Sequence, residues 1–317
     1  MCQPPDQPNC WKCKLAIEWH NCAFCPAILQ RSAIELRQGV SRRPLSARRL
    51  NLIKAMKTNS SFNRRSGRAF TLVELLTVIA IIAVLAAMLL PVISIAVTKA
   101  KVAQAKTEAQ SIANAIESYD SAYGRFPVSP AVQALASAAG GDFTYGGYFR
   151  FSQSLGTTYG GTTYYTNNAE VIAILMDLTA YPSGVTTINM GHQKNPKQTH
   201  FLNAKFSGDP GTSAQPTGGV DNNGVYRDPW GNPYIISMDL NYDEQCADAM
   251  YSRAAVSQQA GQTGYNGLFN TNSVTPTSDS FQFHGKVMVW SAGPDGKFDV
   301  TAKAITGVNK DNVLSWH

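Results

Sequence analysis

From Leu75 to Thr98 the chain carries no charged residue. A run of this length crosses a bilayer as a helix, which takes about 20 mostly apolar residues. The segments before and after the run then lie on opposite sides of a membrane. One carboxylate, Glu74, stands at the start of the run. An ionisable group at the edge of such a segment costs free energy and marks a functional position.

Charge is divided unevenly about this run. Residues 1–69 hold 13 Lys/Arg and 3 Asp/Glu, whereas residues 70–317 hold 14 and 18, so the formal +6 arises from +10 and −4. The body lacks the positive field that phosphate backbones require, and no nucleic-acid partner is expected. Cysteine is equally uneven. Cys2, Cys10, Cys13, Cys22 and Cys25 crowd the start, and Cys246 is alone in the body, which rules out an internal disulfide framework there.

The first 55 residues divide two readings. CWKC and CAFC, with His20 between them, supply the thiolates of a zinc knuckle, but the gap between the pairs is shorter than in zinc ribbons. The other reading is an upstream extension of the reading frame, with Met56 as the better start. Residues 56–69 then form a short, basic, polar leader. Arg64, Arg65 and Arg68 hold that end in the cytoplasm by the positive-inside rule, so the body is exported. A secretory signal peptide has a shorter apolar core followed by a cleavage site. A plain single-span anchor explains the length and the arginines but not Glu74.

The stretch AFTLVELL at 69–76, behind basic residues, resembles the N-terminal signature of type IV pilins and of the pseudopilins of type II secretion. The resemblance implies that a prepilin peptidase cuts between Ala69 and Phe70 and methylates the new amine of Phe70. Glu74 then occupies the fifth mature position. Family members usually carry Gly before the cut, and Ala69 is a departure. Pro91 falls where many members have a helix-bending proline. An axial stagger between neighbouring subunits would let each Glu74 meet the α-amine of another subunit's Phe70, a pairing that makes a buried carboxylate tolerable.

Beyond the apolar run, Val102, Ala105, Ala109, Ile112, Ile116, Tyr119 and Tyr123 recur at three- and four-residue steps. This is an amphipathic helical stripe, closed by Gly124 and Pro127. From Phe70 to Tyr123 the helix would run about 80 Å, with a bend expected at Pro91. The predicted fold is α+β: a long N-terminal helix, membrane-spanning over 70–97 and amphipathic over 98–126, packed on a small antiparallel sheet in an exported domain at 127–317. Within that domain, residues 140–166 read as loop and short edge strands. A second helix is expected over 167–181 with Asn168 as its cap, and a mobile loop over 207–224. Adjacent antiparallel strands are expected at 234–238 and 286–291.

DPWGNPY at 228–234, the S-x-G-x-D-G pattern at 291–296 and the closing DNVLSW resemble the C-terminal region of the major (G-type) pseudopilin. That resemblance implies a calcium ion, with Asp295, Asp299 and Asp311 as candidate oxygen ligands. Pro-Asp-Gly is equally suited to an ordinary hairpin turn. No catalytic signature is present, and Asp239, Asp243 and Glu244 read as a solvated acidic turn rather than paired acids. The expected function is structural: a pseudopilus subunit in the bacterial inner membrane, with its N-terminus cytoplasmic and its domain periplasmic. Its expected partners are prepilin peptidase, identical and related subunits, and the inner-membrane assembly platform. Two alternatives are a type IV pilin of a surface fibre and an anchored glycan-binding module that forms no filament.

Overall fold

The computed structural model describes residues 70–149 and 151–316. The readings of residues 1–69, the cysteine knuckles, leader arginines and Ala69 among them, lie outside the described residues.

Helix α1 runs from Leu72 to Tyr123 without interruption and contains Pro91. Its two halves have opposite surroundings. Every residue from 70 to 100 is exposed, whereas Ala105, Ala109, Ile112, Ala115, Ile116 and Tyr119 are buried. The predicted stripe is therefore the packed face; Val102 and Tyr123 at its ends are half-buried. Gly124 closes α1 in the left-handed conformation (φ 64°), donating its N–H to Asp120 O at 2.7 Å. A bare apolar helix of this length is no surface for water, and the exposed half fits a single-pass membrane anchor.

A helix not foreseen from the sequence comes next: α2, Pro130–Ala139. Ser129 caps it by accepting the Val132 N–H at 3.3 Å, Pro130 opens it, and Gly140 ends it with φ 65°. Strands β1 (Phe143–Tyr145), β2 (Gly147–Tyr148), β3 (Ser154–Leu155), β4 (Thr157–Tyr159) and β5 (Thr162–Tyr164) give the short strands expected of 140–166. The helix expected over 167–181 is α3, Ala169–Leu175. Asn168 precedes it but makes no side-chain cap; its amide instead clamps other backbone, accepting from Tyr226 N and donating to the carbonyls of Tyr226 and Tyr234. The expected loop at 207–224 holds strand β6 (Gly219–Val220) and is tied by Asp209, which accepts from the N–H groups of Gly211 and Thr217.

The remaining strands are β7 (Tyr226–Arg227), β8 (Ile235–Met238), β9 (Gln245–Cys246), β10 (Gln258–Ala260), β11 (Thr263–Gly264), β12 (Phe269–Asn270), β13 (Phe281–His284), β14 (Val287–Ser291) and β15 (Val313–Leu314), with a short α4 at Ala254–Ser257. The main sheet has the order β1-β8-β14-β15. Its two central strands are the two foreseen, antiparallel, with Val287 opposite Met238 and Trp290 opposite Ile235. Both faces of this sheet are covered. Ile236, Met238, Val287 and Val289 join α1 and α3 in one core, while Ile235, Met288 and Trp290 join Tyr251, Phe281 and Phe298 in a second. Burial on both faces is why these strands read as continuous apolar runs rather than alternations. A second sheet, β10-β11-β12-β13-β9, occupies the segment between β8 and β14.

Candidate functional site

The start of α1 explains Glu74 locally. Thr71 is the N-cap in extended conformation (φ −79°, ψ 148°), and its hydroxyl accepts the Glu74 N–H at 3.2 Å. In return Glu74 Oε2 accepts the Thr71 N–H and the Thr71 hydroxyl, each at 2.9 Å. This is a reciprocal capping box, which satisfies two of the donors that a helix leaves unpaired at its N-terminus. Glu74 therefore has partners within its own chain, beside which the expected pairing with a neighbour's Phe70 amine would be a second interaction. The signal was legible, because Thr-Leu-Val-Glu at 71–74 has the T-x-x-E spacing of a capping box. Phe70, one residue outside the cap, is exposed. Pro91 lies within the exposed apolar half, where the carbonyl of Ala87 receives no proline N–H.

The two C-terminal motifs meet in one buried cluster. Asp228 is fully buried at the turn before β8. Its Oδ1 accepts the N–H groups of Trp230 and Asn232, and its Oδ2 accepts the Asn232 amide and the Ser291 hydroxyl. Asn232 also donates to Gly293 O at 3.2 Å. Burial pushes the Asp228 carboxyl up to about 6 against the pull of these donors. Gly296 is in the left-handed region (φ 64°), and a Cβ there would sit 2.6 Å from Asn232 Oδ1. The motif residues Asp228, Asn232, Ser291, Gly293 and Gly296 thus staple the turn before β8 to the turn after β14. Their role in the fold is structural, and it accounts for the two stretches occurring together.

Of the three predicted calcium ligands the structure brings two together. Gly293 packs its backbone against Asp311, where a Cβ would lie 2.2 Å from Asp311 O. Asp311 Oδ1 is buried without a hydrogen-bond partner, and burial followed by the nearby Asp295 charge raises its carboxyl. Asp311 thus keeps one buried, unbonded oxygen near the Asp295 charge, while Asp295 Oδ1 accepts the Lys297 N–H at 2.9 Å. Asp299 turns Oδ1 to the Thr301 N–H and hydroxyl, at 2.8 and 2.6 Å. Among the described residues no three His, Cys, Asp or Glu side chains form a ready metal-holding group, so a cation at this position would depend on backbone carbonyls as well.

The acidic turn is only partly solvated. Asp239 is buried and accepts the N–H groups of Asp243 and Glu244, both of which are exposed. Behind it lies Asp142, which nothing in the sequence singled out. It is buried, bonded through Oδ2 to the Ala247 N–H at 2.6 Å, and its Oδ1 has no partner. Burial, with Asp239 and Asp243 nearby, lifts its carboxyl to about 7. No spacing in the sequence announces this contact, which spans 105 residues. Cys246 is buried and free.

Neither the curated proteins nor the solved structures compared with the chain gave a match. Residues 64–90, which hold Glu74 and the first turns of α1, match the family model described as the prokaryotic N-terminal methylation motif. With the long apolar helix and the antiparallel head behind it, this match supports the pilin-like family of prepilin-processed proteins, and the chain carries that family's N-terminal methylation motif.

Proposed function

We propose that this protein is a structural subunit of a type II secretion pseudopilus, cut between Ala69 and Phe70 and methylated on the Phe70 amine. One observation carries the reading: a capped carboxylate opens a helix that stays apolar and exposed for its first half, inside a methylation motif. Such a surface needs lipid before assembly and other copies of the helix after it. The chain would sit in the inner membrane with its head in the periplasm, and would be drawn by the assembly platform into a filament of identical and related subunits. Many pilins close their C-terminal loop with a disulfide; Cys246, buried and free, favours the pseudopilus over the surface fibre.

Glu74→Gln tests the assembly role. Glutamine also serves at the third position of a capping box, so α1 should begin as before. The substitution removes only the charge that would answer a neighbour's Phe70 amine. Breaking a buried ion pair from one side costs about 3–5 kcal/mol. Filament yield, measured at equal membrane levels of processed protein, should collapse. Wild-type yield would reduce Glu74 to a cap, and a plain anchor would gain from losing a carboxylate.

A calcium ion at Asp295 and Asp311, with the second oxygen of Asp299 within the same C-terminal region, belongs to the same proposal. It would tie the turn after β14 to the segment before β15. A ligand that binds only the folded state raises stability by mass action, about 2.7 kcal/mol at a hundred times its Kd. Detergent-extracted protein should melt higher in calcium than in chelator, and Asp311→Asn should shrink the difference. Identical melts would leave these residues as turn formers.

A further inference from the structure

The far end of α1 is flanked by two loops of opposite charge. On the side of Tyr119 and Tyr123 lie Arg125, Lys194 and Lys197. The Lys194 carbonyl accepts the Tyr119 hydroxyl at 2.5 Å and Arg125 Nη2 at 3.4 Å, and Lys197 Nζ donates to Ala122 O at 3.1 Å in the last turn of α1. Arg125 and Lys197 both stand over Tyr123, at 5.9 and 5.2 Å from its ring centre. Among the described residues none of the three cations has a carboxylate within ion-pair distance. Burial and the nearby Arg125 lower the Lys194 amine, and the more distant Glu170 carboxylate opposes them only in part.

On the side of Asp120 and Phe126 lies the acidic turn of Asp239, Asp243 and Glu244. Tyr242 at its tip packs 5.3 Å from the Phe126 ring and remains about half exposed. Tyr242 and Glu244 both adopt left-handed backbone, with φ 60° and 62°; Asp243 and Glu244 are exposed, and Asp243 also accepts the Asn241 amide and the Gln245 N–H. The neighbouring cation, Lys286, is engaged with Asp120 at 2.9 Å, and Glu244 and Asp239 act on it more weakly.

We infer that the basic flank of one subunit, formed by Arg125, Lys194 and Lys197, docks against the acidic turn at Asp243 and Glu244 of a second copy of this chain. The inference rests on the assembly reading above. Copies anchored in one membrane through α1 stand parallel, and the stagger that sets Glu74 against a neighbour's Phe70, four residues or about 6 Å along the helix, keeps the two flanks within reach of long side chains. Contact between unlike patches of identical subunits leaves one free patch at each end, so it propagates rather than closing into a pair. Charge sets the orientation and partner of such a contact more than its strength.

The test uses full-length protein in membranes, with Ile81→Cys to report association through the apolar helix, and charge reversals at two exposed residues. Arg125→Glu and Glu244→Lys should each lower cross-linking about tenfold, since each sets like charges opposite one another. The double reversal should restore it to within about twofold, and raised salt should weaken the wild type. Arg125→Gln and Glu244→Gln, with melts of every variant, separate lost contact from lost folding. Wild-type cross-linking that persists unchanged in both reversals overturns the docking and leaves the filament standing. Single reversals that fail with no recovery in a folded double variant also overturn it. If wild-type protein does not cross-link at all, the filament reading falls with it.

Discussion

At the scale of single residues, the carboxylates of this protein do three different jobs. Glu74 caps a helix, Asp228 gathers four donors at the junction of two turns, and Asp142 lies buried with one oxygen unpaired. The last two carry a pH signature. Both carboxyls are raised in the folded protein from a reference of 3.8, to about 6 for Asp228 and about 7 for Asp142, chiefly by burial. The folded state therefore holds more protons than the unfolded chain between about pH 4 and pH 7, and stability falls as pH rises through that window. Thermal melts of the detergent-extracted protein should climb as pH is lowered from 8 towards 5. Asp142→Asn keeps an oxygen for the Ala247 N–H and should flatten the upper part of that slope; a slope unchanged by the substitution would refute the assignment. Of these residues Glu74 was legible because it interrupts an apolar pattern, and Asp228 only as the first residue of a recognisable motif. Asp142 owes its environment to strands paired across long separations, which no local spacing encodes.

At the scale of elements, α1 is one helix with two solvents. Ile116 is fully buried in the first core, so Ile116→Ala should cost the head about 2–5 kcal/mol, read as a lowered melting midpoint. Val84 lies in the exposed apolar half, and Val84→Ala should leave the same midpoint unchanged. Equal effects would mean that the two halves are not independent. The long helix, its Gly124 stop and the β8–β14 pair were legible because length, period and burial all point one way there. α2 was missed although Ser129 and Pro130 announce its start, because its Ala-rich sequence has little apolar stripe to count. The sheet of β10 to β13 with β9 was not legible at all: strands of two to four residues show no periodicity, and only their pairing defines them.

At the scale of the whole molecule, the exposed apolar half of α1 fits a membrane anchor, and the sheet of the head is covered on both faces. The proposed assembly depends first on the chain being cut where that helix begins. Phe70 is exposed and stands just outside the capping box, so a cut before it leaves the helix and its cap intact. Mass spectrometry of the membrane-extracted mature protein tests this directly. The N-terminal peptide should begin at Phe70 and carry one methyl group on its α-amine. A mature chain that retains residues 56–69, or begins elsewhere with an unmodified amine, would contradict the proposed cut.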